Sequence, residues 1–272
     1  RKTQLYHSFQ KFLIMVLLSF DIEEFDMPLE YKGEISFEEQ LSISRKGLQE
    51  ILILLKKHQA KATFFSTVVF AENNKDLIEQ LLNEGHELAS HTWFHSEFKI
   101  EDLKKSREKL TELFNTRITG LRMPRMMKVD EKEVEKAGYS YNSSVNPTFL
   151  PGRYNNLKVS RTHFKEGKVL QIPASVSPNF RIPLFWLSFH NFPLNFYKKL
   201  AKDVLKKDGY LNIYFHPWEF AEIKNPDFKL PGFTIKNSGN EMIERFDEFL
   251  KFLNQKKYQF GTFQKFQENI TS

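Results

Sequence analysis

From Met15 onward the hydrophobic positions switch repeatedly between two periods. Residues 16–20 form a continuous apolar run, the pattern of a parallel strand buried on both faces. Residues 37–58 then carry Leu41, Leu48, Ile51, Leu52 and Leu55 at helical spacing, with Ser36 placed to cap the helix through Glu39. The β-branched and aromatic stretch 62–69 predicts a strand, 75–83 a helix closed by Gly85, and 87–90 a short strand. The alternation continues with a helix over 100–114, a strand over 118–122, a helix over 130–137 ending at Gly138, and strands over 139–143 and 169–172. A helix over 194–207, a strand over 211–215, a helix over 241–254 and a short strand over 258–262 complete the series. Repeated strand–helix units with short turns predict an α/β fold on a parallel sheet, and the lack of repeats or linkers predicts a single domain.

Composition narrows the chemistry. A chain of 272 residues with 28 Phe has ample material for a core. It contains no cysteine, which excludes thiol nucleophiles, thiolate metal sites and disulfides. The net charge of +6 favours acidic partners, but the Lys and Arg residues interleave with Glu along helical segments. Solvated helix faces account for that pattern, and no nucleic-acid partner is expected. The apolar run 12–20 is shorter than the roughly 20 residues a membrane span needs. Acidic residues follow it instead of a cleavage site, so the reading is no export signal, no transmembrane segment, and a cytoplasmic or membrane-peripheral location. Residues 1–14 are read as an extension outside the fold and 15–272 as the domain.

Candidate chemistry gathers where strands end. Asp21 and Glu23 follow the first strand two residues apart, on one face of an extended segment. His91 and His95 follow the third strand, four residues apart, a spacing that one helical turn would bring onto a single ion, with a distant carboxylate completing the set. Arg122 and His216 also follow strands. In parallel α/β barrels that end of the sheet carries the active site.

Five ordered segments resemble the polysaccharide deacetylases of carbohydrate esterase family 4, over about residues 15–266. Ser19-Phe20-Asp21 is similar to the first motif, Thr-Phe-Asp-Asp, and His91-Thr92-Trp93-Phe94-His95 to the second, His-Ser/Thr-x-x-His. Gly120-Leu121-Arg122-Met123-Pro124 resembles the third, Tyr141-Asn142-Ser143-Ser144 the fourth and Phe215-His216 the fifth. The extended fifth segment, His216-Pro217-Trp218-Glu219, with Arg181-Ile182-Pro183 upstream, looks like a branch linked to bacterial exopolysaccharide loci. The resemblance implies a distorted TIM-like (β/α) barrel of the seven-stranded deacetylase type. It also implies a divalent metal, zinc first and cobalt, manganese or nickel after it, on His91, His95 and a carboxylate. By the same resemblance Asp21 is the general base, held ionised by Arg122, and His216 the acid. The backbone N–H of Arg125 stands at the oxyanion position.

Three departures stand out. Ile22 replaces the second Asp of the first motif, and the period-two geometry makes Glu23 the substitute ligand, ahead of Glu24 and Asp26. Asn142 replaces an Asp that tunes the acid histidine, with Glu219 as the alternative partner of His216. Arg125 stands where an aromatic residue is usual, which puts a cation near the substrate mouth. Trp93 and Trp218 flank the predicted catalytic histidines and are read as sugar-stacking or pocket-wall residues.

The expected function is metal-dependent removal of N-acetyl groups from amino sugars of a bacterial surface polysaccharide or its lipid-linked precursor. Two alternatives stand beside it: a metal-independent amidohydrolase of the allantoinase type, and an inert glycan-binding domain. The aromatic stretch 180–197 is read as core and barrel cap, or as an apolar lip for peripheral membrane contact; His190 within it is read as a bystander.

Overall fold

Along β1 (Met15–Ile22) the side chains divide between the two sides of one curled sheet. Val16, Leu18, Phe20 and Ile22 pack in the large apolar core beneath the helices, whereas Met15 and Leu17 belong to a separate cluster inside the curl. Ser19, Asp21 and Glu23 continue the inward row by alternation, so the interior passes from apolar to polar to charged along one strand. The computed structural model describes residues 14–271, and the predicted extension 1–14 lies, apart from Ile14, outside the described residues.

The strands that follow are β2 (Ala62–Ser66), β3 (Glu87–Ser90), β4 (Gly120–Leu121), β5 (Tyr141–Asn142), β6 (Phe149–Leu150), β7 (Tyr154–Asn155), β8 (Phe164–Glu166), β9 (Val169–Gln171), β10 (Tyr210–Phe215) and β11 (Gln259–Phe260). The sheet runs β10–β1–β2–β3–β4–β5–β9–β8. It is parallel as far as β9, with β8 antiparallel at the edge and β11 paired to the start of β1. Past β9, the Ser175 N–H donates to Asn212 O of β10 at 2.8 Å, and the Asn212 N–H to Ser175 Oγ at 2.9 Å. These bonds draw the two ends of the curl together. The result is the distorted β/α barrel expected from the sequence, in one α/β domain.

The helix Phe37–Lys57 starts as its sequence predicts, with Ser36 Oγ accepting from the Glu39 N–H at 3.1 Å. Glycine inside this helix has a packing reason. A Cβ on Gly47 would lie 1.7 Å from the Pro217 carbonyl oxygen, so only glycine lets the helix approach the turn after β10. The mid-helix cost of about 0.5–1 kcal/mol is accepted to set down the turn that begins at His216.

Some elements differ from expectation. The strand predicted over 62–69 stops at Ser66, because Thr67 caps a helix over Val68–Asn73 by accepting from the Phe70 N–H at 3.1 Å. The Val68 and Val69 N–H groups donate to the carbonyls of Thr92 and Trp93, so tertiary bonding overrides the β-branched local preference. The helix Phe263–Thr271 has no strong signal in FQKFQENIT, yet it closes the bottom of the barrel. Its Phe263 ring lies 5.4 Å from Phe65 and 5.6 Å from Tyr141, inside the curl. The stretch 180–197 is divided between core and surface: Leu184, Phe189 and Tyr197 are fully buried, while Phe180 and Phe196 are exposed. Among the described residues no helix is long and apolar enough to cross a membrane.

Candidate metal centre and active site

A cavity of about 320 Å³ opens at the C-terminal end of the parallel strands. Its floor holds Asp21, Glu23, Asp26, His91, His95 and His216, and its walls include Met126, Phe185, Trp186, Tyr214 and Trp218. The rim comes from short pieces the sequence did not reveal: helices Met27–Glu30, Trp186–Asn191 and Gly232–Ile235, and the β6–β7 hairpin.

The two histidines sit on a loop after β3, not on a helical turn as their spacing suggested. Thr92 takes a left-handed conformation, φ 67°, and the carbonyls of Thr92 and Trp93 receive the N-terminal N–H groups of helix Val68–Asn73. That path lays the His91 and His95 rings nearly parallel, 5.9 Å apart. His91 Nδ1 lies 2.8 Å from the Arg122 carbonyl, which can only accept, so Nδ1 carries a proton and Nε2 is the nitrogen turned toward the cavity. His95 Nδ1 lies 2.7 Å from Asp26 Oδ1, which turns its Nε2 the same way. Both Nε2 atoms face Glu23 Oε2, at 3.0 and 3.3 Å. One donor atom from each of Glu23, His91 and His95 lies within 4.8 Å of the others. Two imidazoles oriented by outer oxygen partners, with a carboxylate between them, is a donor set suited to a divalent ion with a position left open.

Electrostatics mark the same trio. Burial pushes the Glu23 carboxyl up, but the His95 charge, the His91 hydrogen bond and the charges of His216 and His91 bring it down to about 2. Burial pushes His95 down, and Glu23 with Asp26 raises it to about 9. Ile22, between the two acids, points into the outer core and is fully buried there. A carboxylate at 22 would face Leu and Phe side chains; one at 23 faces the histidines.

Asp21 is held from behind. Arg122 is fully buried and donates from Nη1 to Asp21 Oδ1 at 2.7 Å and to Ser19 Oγ at 2.9 Å. Its Nε and Nη2 go to the Ser143 carbonyl and hydroxyl, and its guanidinium lies 4.1 Å above the Phe65 ring. Across the cavity, His216 Nε2 is 3.9 Å from Asp21 Oδ2. The His216 ring is stacked 4.8 Å from Trp218, and its Nδ1 is 2.9 Å from Glu219 Oε1. Burial lowers the His216 pKa, but the Glu219 hydrogen bond and the charges of Glu23, Glu219 and Asp21 outweigh it and raise it.

Other predicted residues fall elsewhere. Arg125 lines the cavity at φ 54°, but its side chain is committed: Nη2 to Asp26 Oδ2 at 3.0 Å, Nε to Glu30 Oε1 at 2.6 Å and Nη1 to the His95 carbonyl at 3.0 Å. It is a brace for the His95 side of the site instead of a free cation at the mouth. Asn142 is not at the cavity; its Nδ2 donates to Glu131 Oε1 at 2.7 Å and its Oδ1 accepts from Ser144. Trp93 packs against the outer core, while Trp218 is a buried cavity wall with Nε1 3.5 Å from Glu23 Oε1. His190, set aside in the sequence reading, lies fully buried behind Glu219, Nε2 to Oε2 at 2.7 Å. The part played by Asp26 was missed as well. Its only sequence signal was membership of the acidic run after β1.

Comparison with known proteins bears on the fold and on residues 16–141. The family model described as polysaccharide deacetylase matches residues 16–141. A peptidoglycan-N-acetylglucosamine deacetylase of Bacillus cereus is 41% identical over 46 residues, 17% of this chain and 22% of that protein. The chain spans less than a third of the length of the curated relatives it matches. Among solved structures, a probable polysaccharide deacetylase from Pseudomonas aeruginosa PAO1 aligns with TM-score 0.67 at 15% identity, over 94% of this chain and 90% of that one. The Puue allantoinase aligns with TM-score 0.66 at 16% identity, over 96% and 91%. At such identities these structures establish the shared fold alone. Residues 16–141, a little under half of the chain, are thus similar to the polysaccharide deacetylase family.

Proposed function

We propose that the chain is a metal-dependent de-N-acetylase acting on N-acetylated amino sugars of a bacterial surface polysaccharide or its lipid-linked precursor. The observation that carries this reading is the convergence of the His91 and His95 Nε2 atoms on Glu23, with Asp21 and His216 facing each other beside them. Glu23, His91 and His95 would hold the ion, zinc in the first instance. When bound it supplies Lewis-acid polarisation of the acetyl carbonyl and a lowered pKa for water. Asp21, fixed by Arg122, accepts the proton of the attacking water. His216 donates from Nε2 to the departing amine nitrogen. The Arg125 backbone N–H contributes to the oxyanion site, while its side chain keeps Asp26 and the His95 loop in place. Trp218 and Trp186 exclude water from the His216 side of the cavity.

The test is acetate release from N-acetylglucosamine oligomers. The zinc-loaded chain is expected to release acetate, to lose at least about 100-fold of that rate on chelation, and to regain it with zinc or cobalt. Activity that survives chelation would point to the metal-independent amidohydrolase. Glycan binding with no acetate release from metal-loaded protein would point to an inert binding domain.

A further inference from the structure

Behind His216 lies a second buried ion-pairing system that the metal centre does not use. Glu219 is fully buried on the turn Pro217–Phe220, and His190 is fully buried on helix Trp186–Asn191. Glu219 Oε1 accepts from the His216 backbone N–H at 2.6 Å and faces His216 Nδ1 at 2.9 Å. Its other oxygen, Oε2, faces His190 Nε2 at 2.7 Å. His190 Nδ1 in turn faces the Lys236 carbonyl, a group that only accepts, so that nitrogen carries a proton. The carboxylate is thus gripped at both oxygens, by two rings and a main-chain donor. A buried carboxylate with two imidazoles is costly to keep and has no packing advantage over an apolar trio.

The groups facing this system come from several elements. Asp21 and Glu23, at the end of β1, face the His216 ring from the cavity side, and Glu219 faces it from its own turn. Trp218 stacks on that ring, and Trp186 stands edge-on to both His216 and His190. Tyr197, from the helix Leu194–Asp208, is the further titratable group near Glu219. Burial would raise Glu219, but its bonds to His190 and His216 lower it and keep it a carboxylate.

We propose that Glu219 and His190 are positioning residues for His216: Glu219 holds its Nδ1 proton so that Nε2 faces Asp21 and the cavity, and His190 fixes the carboxylate. The role expected of an acid at Asn142 is then taken by a different element, three residues after the histidine it serves. With Nδ1 held, only the doubly protonated ring carries a proton on Nε2, and an adjacent carboxylate favours that form. This inference rests on the deacetylase reading for its kinetic consequence, but not for its structural one.

The test uses the full zinc-loaded chain, labelled with ¹⁵N-histidine, with Glu219→Gln and His190→Gln as variants. Glu219→Gln keeps the shape and removes the charge. It is expected to lower the titration of His216 by about one pH unit in the nitrogen spectrum. Acetate release should fall about 10- to 100-fold in kcat, with KM within about twofold and bound zinc unchanged. His190→Gln should move the same readings in the same direction by less. A His216 that keeps its titration and tautomer in both variants overturns the proposal. Should Glu219→Gln fail to fold, the His190→Gln spectrum decides. Should the unaltered chain release no acetate, the deacetylase reading fails while the nitrogen spectra still judge the positioning role.

Discussion

Asp21→Asn is expected to bind zinc as the unaltered chain does and to lose about 100- to 10,000-fold in kcat. The asymmetry follows from where Asp21, on β1, and Glu23, just after it, point. Asp21 Oδ1 is taken by Arg122, and its other oxygen lies on the His216 side, whereas the histidine Nε2 atoms face Glu23. Asparagine can still accept from Arg122 but cannot take a proton from water. Removing the charge also strands a buried guanidinium, a loss of about 3–5 kcal/mol when nothing replaces the partner. Here the amide oxygen, Ser19, the two oxygens of Ser143 and the Phe65 ring remain, so the fall in melting temperature should be modest. Zinc content by mass spectrometry of metals, acetate release and thermal unfolding check the three parts together. Loss of zinc in this variant would make Asp21 a ligand and place the base elsewhere.

Glu23→Gln is expected to show the reverse order of effects, with zinc affinity falling by at least about 100-fold and activity lost through the missing metal. The carboxylate is the charge that both imidazoles face, and an amide oxygen cannot replace it against a divalent ion. In the metal-free chain the same substitution removes the largest charge that raises His95, so its pKa should fall from about 9, with Asp26 still holding part of the rise. Calorimetric titration with zinc measures the first effect and nitrogen spectra of His95 the second. An unchanged zinc affinity would show that Glu23 is an ion-pair partner of the histidines and no ligand.

Much of this arrangement was legible from the chain alone, and the reasons are local. The alternation along 15–23 fixes which residues face inward, and it accounts for Ile22 and Glu23 together: the first joins the outer core, the second the site. Apolar runs and capped helices located the strands that carry Asp21, His91, Arg122 and His216, because parallel strands deliver their following residues to one end of the sheet. What stayed hidden depends on contacts distant in sequence. The loop of His91 and His95 owes its path to the N-terminus of helix Val68–Asn73, which period alone misread as strand. Asp26, Arg125 and Glu30 form a brace around His95 that joins segments nearly 100 residues apart. His190 lacked any neighbouring motif, since its partner Glu219 lies 29 positions away. Asn142 occupied a motif position, yet its bonds run to Glu131 and Ser144.

The central claim is that Glu23 replaces the aspartate missing at Ile22 as the third ligand of a divalent ion. Anomalous diffraction at the zinc edge from crystals of the zinc-loaded chain tests it most directly. One ion is expected, with His91 Nε2 and His95 Nε2 at about 2.0–2.1 Å and a Glu23 oxygen at about 2.0–2.2 Å. An ion held by the histidines with Glu23 turned away, or one that takes Asp21 in its place, would contradict it.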